Sequence, residues 1–106
     1  MITYVFRAAS VTNLSTIVQA LESGLGLTLH TSASPSSTPT YINGYVASVC
    51  TPSGCVIYVN IFDSAGGYVL TDSSGNVIYA AQPPSTTPSY SQVAQVLSTV
   101  VTLVQT

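Results

Sequence analysis

The sequence has almost no charged residues. Its 106 residues include one Lys or Arg, three Asp or Glu and one His, so 4% are charged and the formal net charge is −2. Soluble domains usually carry about a quarter charged residues. Such a neutral surface gives little repulsion between copies of the chain, and a net charge near zero favours association.

The shortage of cations excludes two classes of partner. Proteins bind nucleic acids by neutralising phosphates with Lys and Arg, and this chain has Arg7 alone. It also has no basic face for anionic lipids. No apolar run reaches the ~18–20 residues of a membrane span, since polar residues interrupt Val93–Val104. We therefore expect neither a direct nucleic-acid partner nor a membrane span.

Groups for catalysis are also scarce. General acid–base chemistry uses paired titratable groups, and the supply here is Glu22, His30, Asp63 and Asp72. No serine stands in a GxSxG motif. Each aspartate opens a glycine-containing turn, which explains it without a calcium loop. We expect a protein that is not an enzyme, with no catalytic residue, no metal and no cofactor.

Neutral polar residues take the place of the missing charges. The chain contains 16 Ser and 14 Thr beside 46% hydrophobic residues, a content too apolar for a disordered chain. Length and composition predict a single domain, 1–106, with Ser/Thr/Pro-rich connectors at 31–40 and 82–89. The two connectors contain similar segments, SPSSTPTY and PPSTTPSY. They are either extended links or stiff surface arms that contact neighbours or carry O-glycans.

The two cysteines, Cys50 and Cys55, flank the residues Thr-Pro-Ser-Gly, which favour a tight turn. Strand residues on either side of such a turn face each other at a separation that suits a disulfide. A zinc site would lack ligands, and the spacing is not that of a CxxC redox pair. The predicted disulfide indicates an oxidising compartment or a hyperthermophilic host, which favours an extracellular or virion location.

Hydrophobic periodicity predicts two helices. Apolar residues recur at helical spacing from Val11, with Gly24 as a stop signal, and again over Ser89–Thr106. Ser89 and Gln92 fit a capping box at the start of the second helix. The sequence Asn13-Leu14-Ser15 is an N-glycosylation sequon, but it lies in the first predicted helix and we attribute it to chance.

Strand patterns fill the rest of the chain. Strands are predicted over Ile2–Arg7, Leu25–His30, Tyr41–Cys50, Cys55–Phe62, Gly67–Thr71 and Asn76–Ala81. The predicted fold class is α+β in two layers. A β-α-β opening leads into an antiparallel β-meander and a C-terminal helix, with the helices on one face of the sheet.

Pairing Cys50 with Cys55 fixes the register of the central hairpin, and strand alternation then separates its two faces. The apolar face is expected under the helices and contains Ile42, Val46, Cys50, Cys55, Ile57, Val59 and Ile61. The other face mixes aromatic side chains and amides, a composition typical of protein interfaces. The candidate interface residues on it are Tyr41, Asn43, Tyr45, Tyr58, Asn60 and Phe62. The alternative is that a loop such as Thr31–Thr40 covers this face.

The segments SPSSTPTY, PPSTTPSY and DSSGNVIY, together with the low charge, resemble structural proteins of hyperthermophilic archaea and their viruses. This resemblance implies a non-enzymatic subunit that self-assembles in a virion shell or an extracellular filament. Its partners would be copies of itself or other structural proteins. The turn containing Asp72 is also similar to hairpins of PAS/profilin-like domains, so the alternative is a small ligand- or partner-binding module. A secreted adhesive or surface-coat protein is a third possibility.

Overall fold

The structure is a computed structural model that describes residues 1–30, 40–66, 69–71 and 73–104. Its architecture confirms the α+β class. These described residues contain two helices, α1 (Leu14–Leu25) and α2 (Tyr90–Leu97). The strands are β1 (Ile2–Ala8), β2 (Leu29–His30), β3 (Thr40–Ile42), β4 (Gly44–Thr51), β5 (Gly54–Ile61), β6 (Val69–Thr71) and β7 (Val77–Ala81).

The strands form two sheets. The main sheet has the order β1-β5-β4-β2, and the small sheet has the order β3-β7-β6. Helix α1 connects β1 and β2, which are the two edges of the main sheet, so the predicted β-α-β opening is present. Strand β2 is parallel to β4, whereas β1, β5 and β4 are antiparallel neighbours.

The principal core lies between the two helices and one face of the main sheet. Residues near the two ends of the sequence are in contact here. The Phe6 ring stacks on Tyr90 with ring centroids 4.7 Å apart, and the Tyr4 hydroxyl donates a hydrogen bond to the Pro88 carbonyl oxygen at 2.9 Å. Burying these side chains supplies the main stabilisation of the fold. The buried members of the core are Phe6, Ala8, Ile17, Val18, Leu21, Leu27, Leu29, Val46, Ile57, Val59, Ile61, Val93 and Leu97.

Helix α1 begins later than its hydrophobic pattern suggests. Asn13 is the N-cap in an extended conformation, and its side chain accepts a hydrogen bond from the Ser15 N–H at 2.9 Å. Gly26, at φ 66°, ends the helix in the left-handed conformation that glycine adopts without steric cost. The predicted stop at Gly24 is therefore two residues early.

Helix α2 has the predicted capping box between Ser89 and Gln92 but ends at Leu97, well before Thr106. The hydroxyls of Ser98 and Thr99 bond to carbonyl oxygens three residues earlier, an alternative to continued helix that these side chains offer. The chain then turns back, and Leu103 pairs with Ala8 beside β1. The prediction of a helix to residue 106 was wrong because this pairing replaces it.

The central hairpin confirms the predicted disulfide and register. Cys50 and Cys55 are bonded, with their Cα atoms 4.0 Å apart, and they face each other across β4 and β5. Their strands continue by one residue each, so the loop is only Pro52 and Ser53. This register keeps the predicted alternation of faces along the hairpin.

The strand predicted over Tyr41–Cys50 is two strands in two sheets. The chain leaves β3 at Ile42 and enters β4 at Gly44, and a Cβ atom at Gly44 would overlap the carbonyl oxygen of Asn60. Such a bend is how strands pass between sheets. Ile42 is therefore buried in a second core with Phe62 and Ala81, not under the helices as predicted.

The small sheet contains the rest of the predicted meander. Strands β6 and β7 are antiparallel, and β7 also pairs in parallel with β3. The predicted connector at 31–40, except its last residue, and Asp72 lie outside the described residues. In the part of the chain that the structure describes, no helix has the length and apolar character needed to cross a bilayer.

Candidate interaction surface

The second face of the main sheet, opposite the helices, has a patch that no described element covers. We call this patch the open face. Two of its valines are strongly exposed, Val5 at 48% and Val49 at 57%. It consists of Val5, Ala47, Val49, Val56 and Tyr58.

Strand pairing brings these side chains together from three strands. Val56 of β5 lies between Val49 and Arg7, and the next row places Tyr58 between Ala47 and Val5. Arg7 is exposed and is the only cationic side chain in the sequence. The patch is therefore apolar with a single positive charge at its margin.

Beyond Tyr58, the same face of the sheet is closed by a hydrogen-bonded row. Asn60 is only 6% exposed, and its Oδ1 accepts from the Thr3 hydroxyl at 2.8 Å while its Nδ2 donates to the Tyr45 carbonyl oxygen at 3.3 Å. A buried amide with both ends bonded in this way stabilises the sheet. The structure therefore places this candidate interface residue inside the monomer.

Two further candidates belong to the second core. Phe62 is 4% exposed, and its ring centroid lies 6.1 Å from that of Tyr45, which packs against the same cluster. These rings join the main sheet to the small sheet. Tyr45 thus lies at the border of the open face, and Phe62 lies behind it.

Asn43 forms the junction between the two sheets. Its Oδ1 accepts from the Thr28 N–H at 2.8 Å, and its Nδ2 donates to the Gln82 carbonyl oxygen at 3.1 Å. Its backbone is also bonded on both sides, to Thr28 and to Phe62. Its polar groups hold the fold at this bend, although the side chain is only half-buried.

Of the six candidates, Tyr58 lies on the open face and Tyr41 is exposed at 63%, but on β3 of the small sheet. Sequence reasoning missed Val5, which pairs with Tyr58 across β1 and β5. The alternation of β1 indicates that Val5 faces away from Phe6. The pairing of β1 with β5, which follows some fifty residues later in the chain, is what places Val5 beside Tyr58 on the open face.

Next to the open face, strand β1 has an edge whose first part is unpaired among the described residues. The backbone carbonyl oxygen of Arg7 accepts a hydrogen bond from the Val104 N–H on the side of β1 that faces away from β5. In a strand, the backbone N–H and C=O groups of every second residue point to the same side. The backbone groups of Thr3 and Val5 therefore point away from β5 too. A groove of about 600 Å³ runs along this edge, lined in part by Tyr90 and Ala94. Unpaired strand edges of this kind accept a further strand.

Two of the acidic side chains, Asp63 and Glu22, have structural partners. The amino-terminal ammonium of Met1 donates to Asp63 Oδ1 at 2.6 Å, and this hydrogen bond holds the pKa of Asp63 below its usual value. Glu22 accepts from the Leu29 N–H where β2 begins. The His30 side chain and Asp72 lie outside the described part of the structure, so neither is placed.

The described residues contain no group of three His, Cys, Asp or Glu side chains that would hold a metal ion. A second cleft, of about 520 Å³, lies between the start of α1 and the segment after α2. Ser and Thr hydroxyls dominate its lining, and no titratable side chain contributes to it.

Comparison with known proteins gives no family. No protein-family model matches the chain, and neither a curated protein nor a solved structure is significantly similar to it.

Proposed function

We propose that this protein is a non-enzymatic structural subunit that assembles with copies of itself through the open face. The observation that carries the proposal is a contiguous apolar patch on one side of a sheet whose other side packs against the helices in the principal core. Exposed apolar patches of this kind mark interaction sites in soluble proteins.

The composition of the patch favours a second copy as its partner. A face built from Val, Ala and Tyr needs an equally apolar and neutral surface opposite it, and the open face itself is such a surface. Two sheets pack face to face at about 10 Å, so two open faces would interdigitate around a two-fold axis. With a formal net charge of −2, the chain offers little long-range repulsion against this contact.

The edge of β1, which is unpaired at Thr3 and Val5 among the described residues, supplies a second contact at a right angle to the first. A strand from a neighbouring copy would bond to the backbone of Thr3 and Val5 and place its side chains in the adjoining groove. The sequence contains no lysine, the residue that most often protects such edges. Face contact and edge pairing together would extend the assembly beyond a dimer.

The disulfide supports an oxidising environment for this subunit, and the resemblance given above favours a virion or an extracellular filament within it. A hairpin disulfide persists in oxidising compartments and is rare elsewhere outside hyperthermophiles. The low number of cations argues for a position that does not contact the genome.

The proposal is tested by the mass and shape of the purified protein, measured by light scattering and electron microscopy over a range of concentrations. We expect mass to rise with concentration. We also expect the assemblies to persist from about 0.1 M to about 1 M salt, because few charges are involved. A monodisperse monomer at all concentrations would contradict the proposal.

A matched pair of variants tests the surface itself. Val49→Lys introduces a charge on the open face, whereas Val69→Lys introduces the same charge at a similarly exposed valine of the small sheet. We expect only Val49→Lys to lower the mass of the assemblies, because it removes the contact through the open face, while the monomer stays folded. Equal assembly of the two variants would show that the open face is not the interface.

Tyr58→Ser is a second variant that tests the open face, since Tyr58 is half-buried there. Tyr45→Ser would be harder to interpret because Tyr45 also packs against the second core. A ligand-binding module, the alternative function, would instead remain monomeric and gain thermal stability from its ligand.

A further inference from the structure

The sequence Asn13-Leu14-Ser15 lies at the start of helix α1, with Asn13 as the N-cap and Leu14 and Ser15 as the first two helical residues. Asn13 precedes the first helical residue in an extended conformation, φ −150° and ψ 111°, and both Asn13 and Ser15 are exposed. The reason for attributing this sequon to chance, its position in a predicted helix, does not apply to the acceptor residue Asn13, which precedes the helix. It is the one Asn-x-Ser/Thr sequence in the chain.

We propose that Asn13 is an N-glycosylation site, with its Nδ2 atom as the acceptor of an oligosaccharide from a lipid-pyrophosphate donor. A bond forms between Nδ2 and the anomeric carbon of the first sugar, and the bond from that carbon to the pyrophosphate oxygen breaks. Nδ2 loses one proton and lipid pyrophosphate leaves. The host's transferase supplies the catalysis, and this chain supplies the acceptor.

The geometry of the cap is compatible with the modification. The helix uses the Oδ1 atom of Asn13, which accepts from the Ser15 N–H at 2.9 Å. A glycan on Nδ2 leaves Oδ1 as an amide oxygen, so the N-cap hydrogen bond persists after transfer. Among the described residues, no hydrogen bond engages Nδ2.

The surroundings accommodate a sugar. Asn13 lies on the border of the 520 Å³ cleft, where Ser10, Thr12, Thr16 and Thr102 present neutral hydroxyls. The first sugar would meet these groups, with Val100 as an apolar contact. Because α1 packs on the helix side of the main sheet, the glycan also lies opposite the open face and leaves the proposed assembly contact accessible.

The oxidising environment indicated by the disulfide independently supports glycosylation of Asn13. N-glycosylation takes place on chains that leave the cytoplasm, and the Cys50–Cys55 disulfide belongs to the same oxidising environment. On a surface with so few charges, a glycan would also provide the hydration that charged residues usually give.

The test is secretion of the full chain from a host that performs N-glycosylation, followed by intact mass and peptide mapping. We expect one glycan on Asn13 in the wild type and in Ser15→Thr, which keeps the sequon. We expect its complete loss in Asn13→Asp, which keeps a strong N-cap but lacks the amide nitrogen. Ser15→Ala should also lose the glycan, because it destroys the sequon. It keeps the N-cap hydrogen bond, since the donor to Asn13 is the backbone N–H of residue 15.

A positive control is available in the same chain. Ser85→Asn places a second sequon before Thr86 and Thr87, in an exposed loop. A glycan at position 85 of the Ser85→Asn variant shows that the chain was accessible to the transferase. If Asn13 is unmodified in that same secreted, disulfide-bonded protein, the proposal is overturned. Retention of the glycan in Ser15→Ala would also overturn it.

Discussion

At the scale of single residues, a few backbone positions decide how the chain passes between its two sheets. Gly44 stands opposite Ile61 in the main sheet, and the carbonyl oxygen of Asn60 occupies the position of a Cβ atom. One residue earlier, Asn43 bonds to both sides of the junction. The bend therefore depends on one missing side chain and one amide.

Gly44→Ala is expected to lower the free energy of unfolding by about 2–3 kcal/mol, because the new methyl group overlaps backbone that cannot move aside. Denaturant unfolding measures the change. Gly26→Ala is the comparison, since a Cβ there meets no atom within 4 Å and only the left-handed backbone is strained, at a cost of about 1 kcal/mol. Equal losses in the two variants would contradict the overlap.

Asn43→Ala is expected to cost about 1–3 kcal/mol, because it removes the partners of the Thr28 N–H and the Gln82 carbonyl oxygen. Thermal or denaturant unfolding again gives the value. Gln19→Ala, at an exposed position of α1, serves as the control and should be nearly neutral. An unchanged stability in Asn43→Ala would show that water replaces the lost bonds fully.

At the scale of elements, local signals in the sequence were sufficient where local contacts decide the structure. The turn between the cysteines fixed the hairpin register, and Ser89 with Gln92 fixed the start of α2. The end of α2 and the break at Asn43 were missed because they depend on partners far along the chain, Ala8 and Asn60. The same distance hid Val5, the residue that β1 adds to the open face.

The hairpin disulfide closes a short loop, so its contribution to stability is modest. We expect the Cys50→Ala/Cys55→Ala variant to lose about 2 kcal/mol while keeping its fold, since eight residue pairs hold β4 to β5. Denaturant unfolding and circular dichroism measure stability and fold. Complete unfolding of the variant would mean that the hairpin requires the covalent bond.

The start of α2 is tested by Ser89→Ala. The serine side chain accepts from the Gln92 N–H, and Gln92 reaches back to the Ser89 N–H, so both bonds of the capping box weaken. The expected loss is about 1 kcal/mol, measured by thermal unfolding. Ser89→Asp should restore most of it, because aspartate is also a strong N-cap.

At the scale of the whole molecule, the sequence indicated the fold class and the low surface charge, and the structure added the surface on which assembly is proposed. Composition alone does not show which side of a sheet is covered. The covered side depends on where the two helices pack, and both α1 and α2 pack on the face of the main sheet that contributes to the principal core. The candidate residue Phe62 is internal because it belongs to the second core, and Asn60 is internal with its amide bonded to Thr3 and Tyr45.

The contacts that Tyr4 and Phe6 make with Pro88 and Tyr90 join residues from the two ends of the sequence. A chain leaving the ribosome exposes its first strand long before α2 exists to cover it. Pairings between such distant residues form slowly, because closing the intervening loop costs entropy before any contact forms. The core therefore cannot close on a partly synthesised chain. A chain with this connectivity can complete its core only after the residues of α2 have been synthesised.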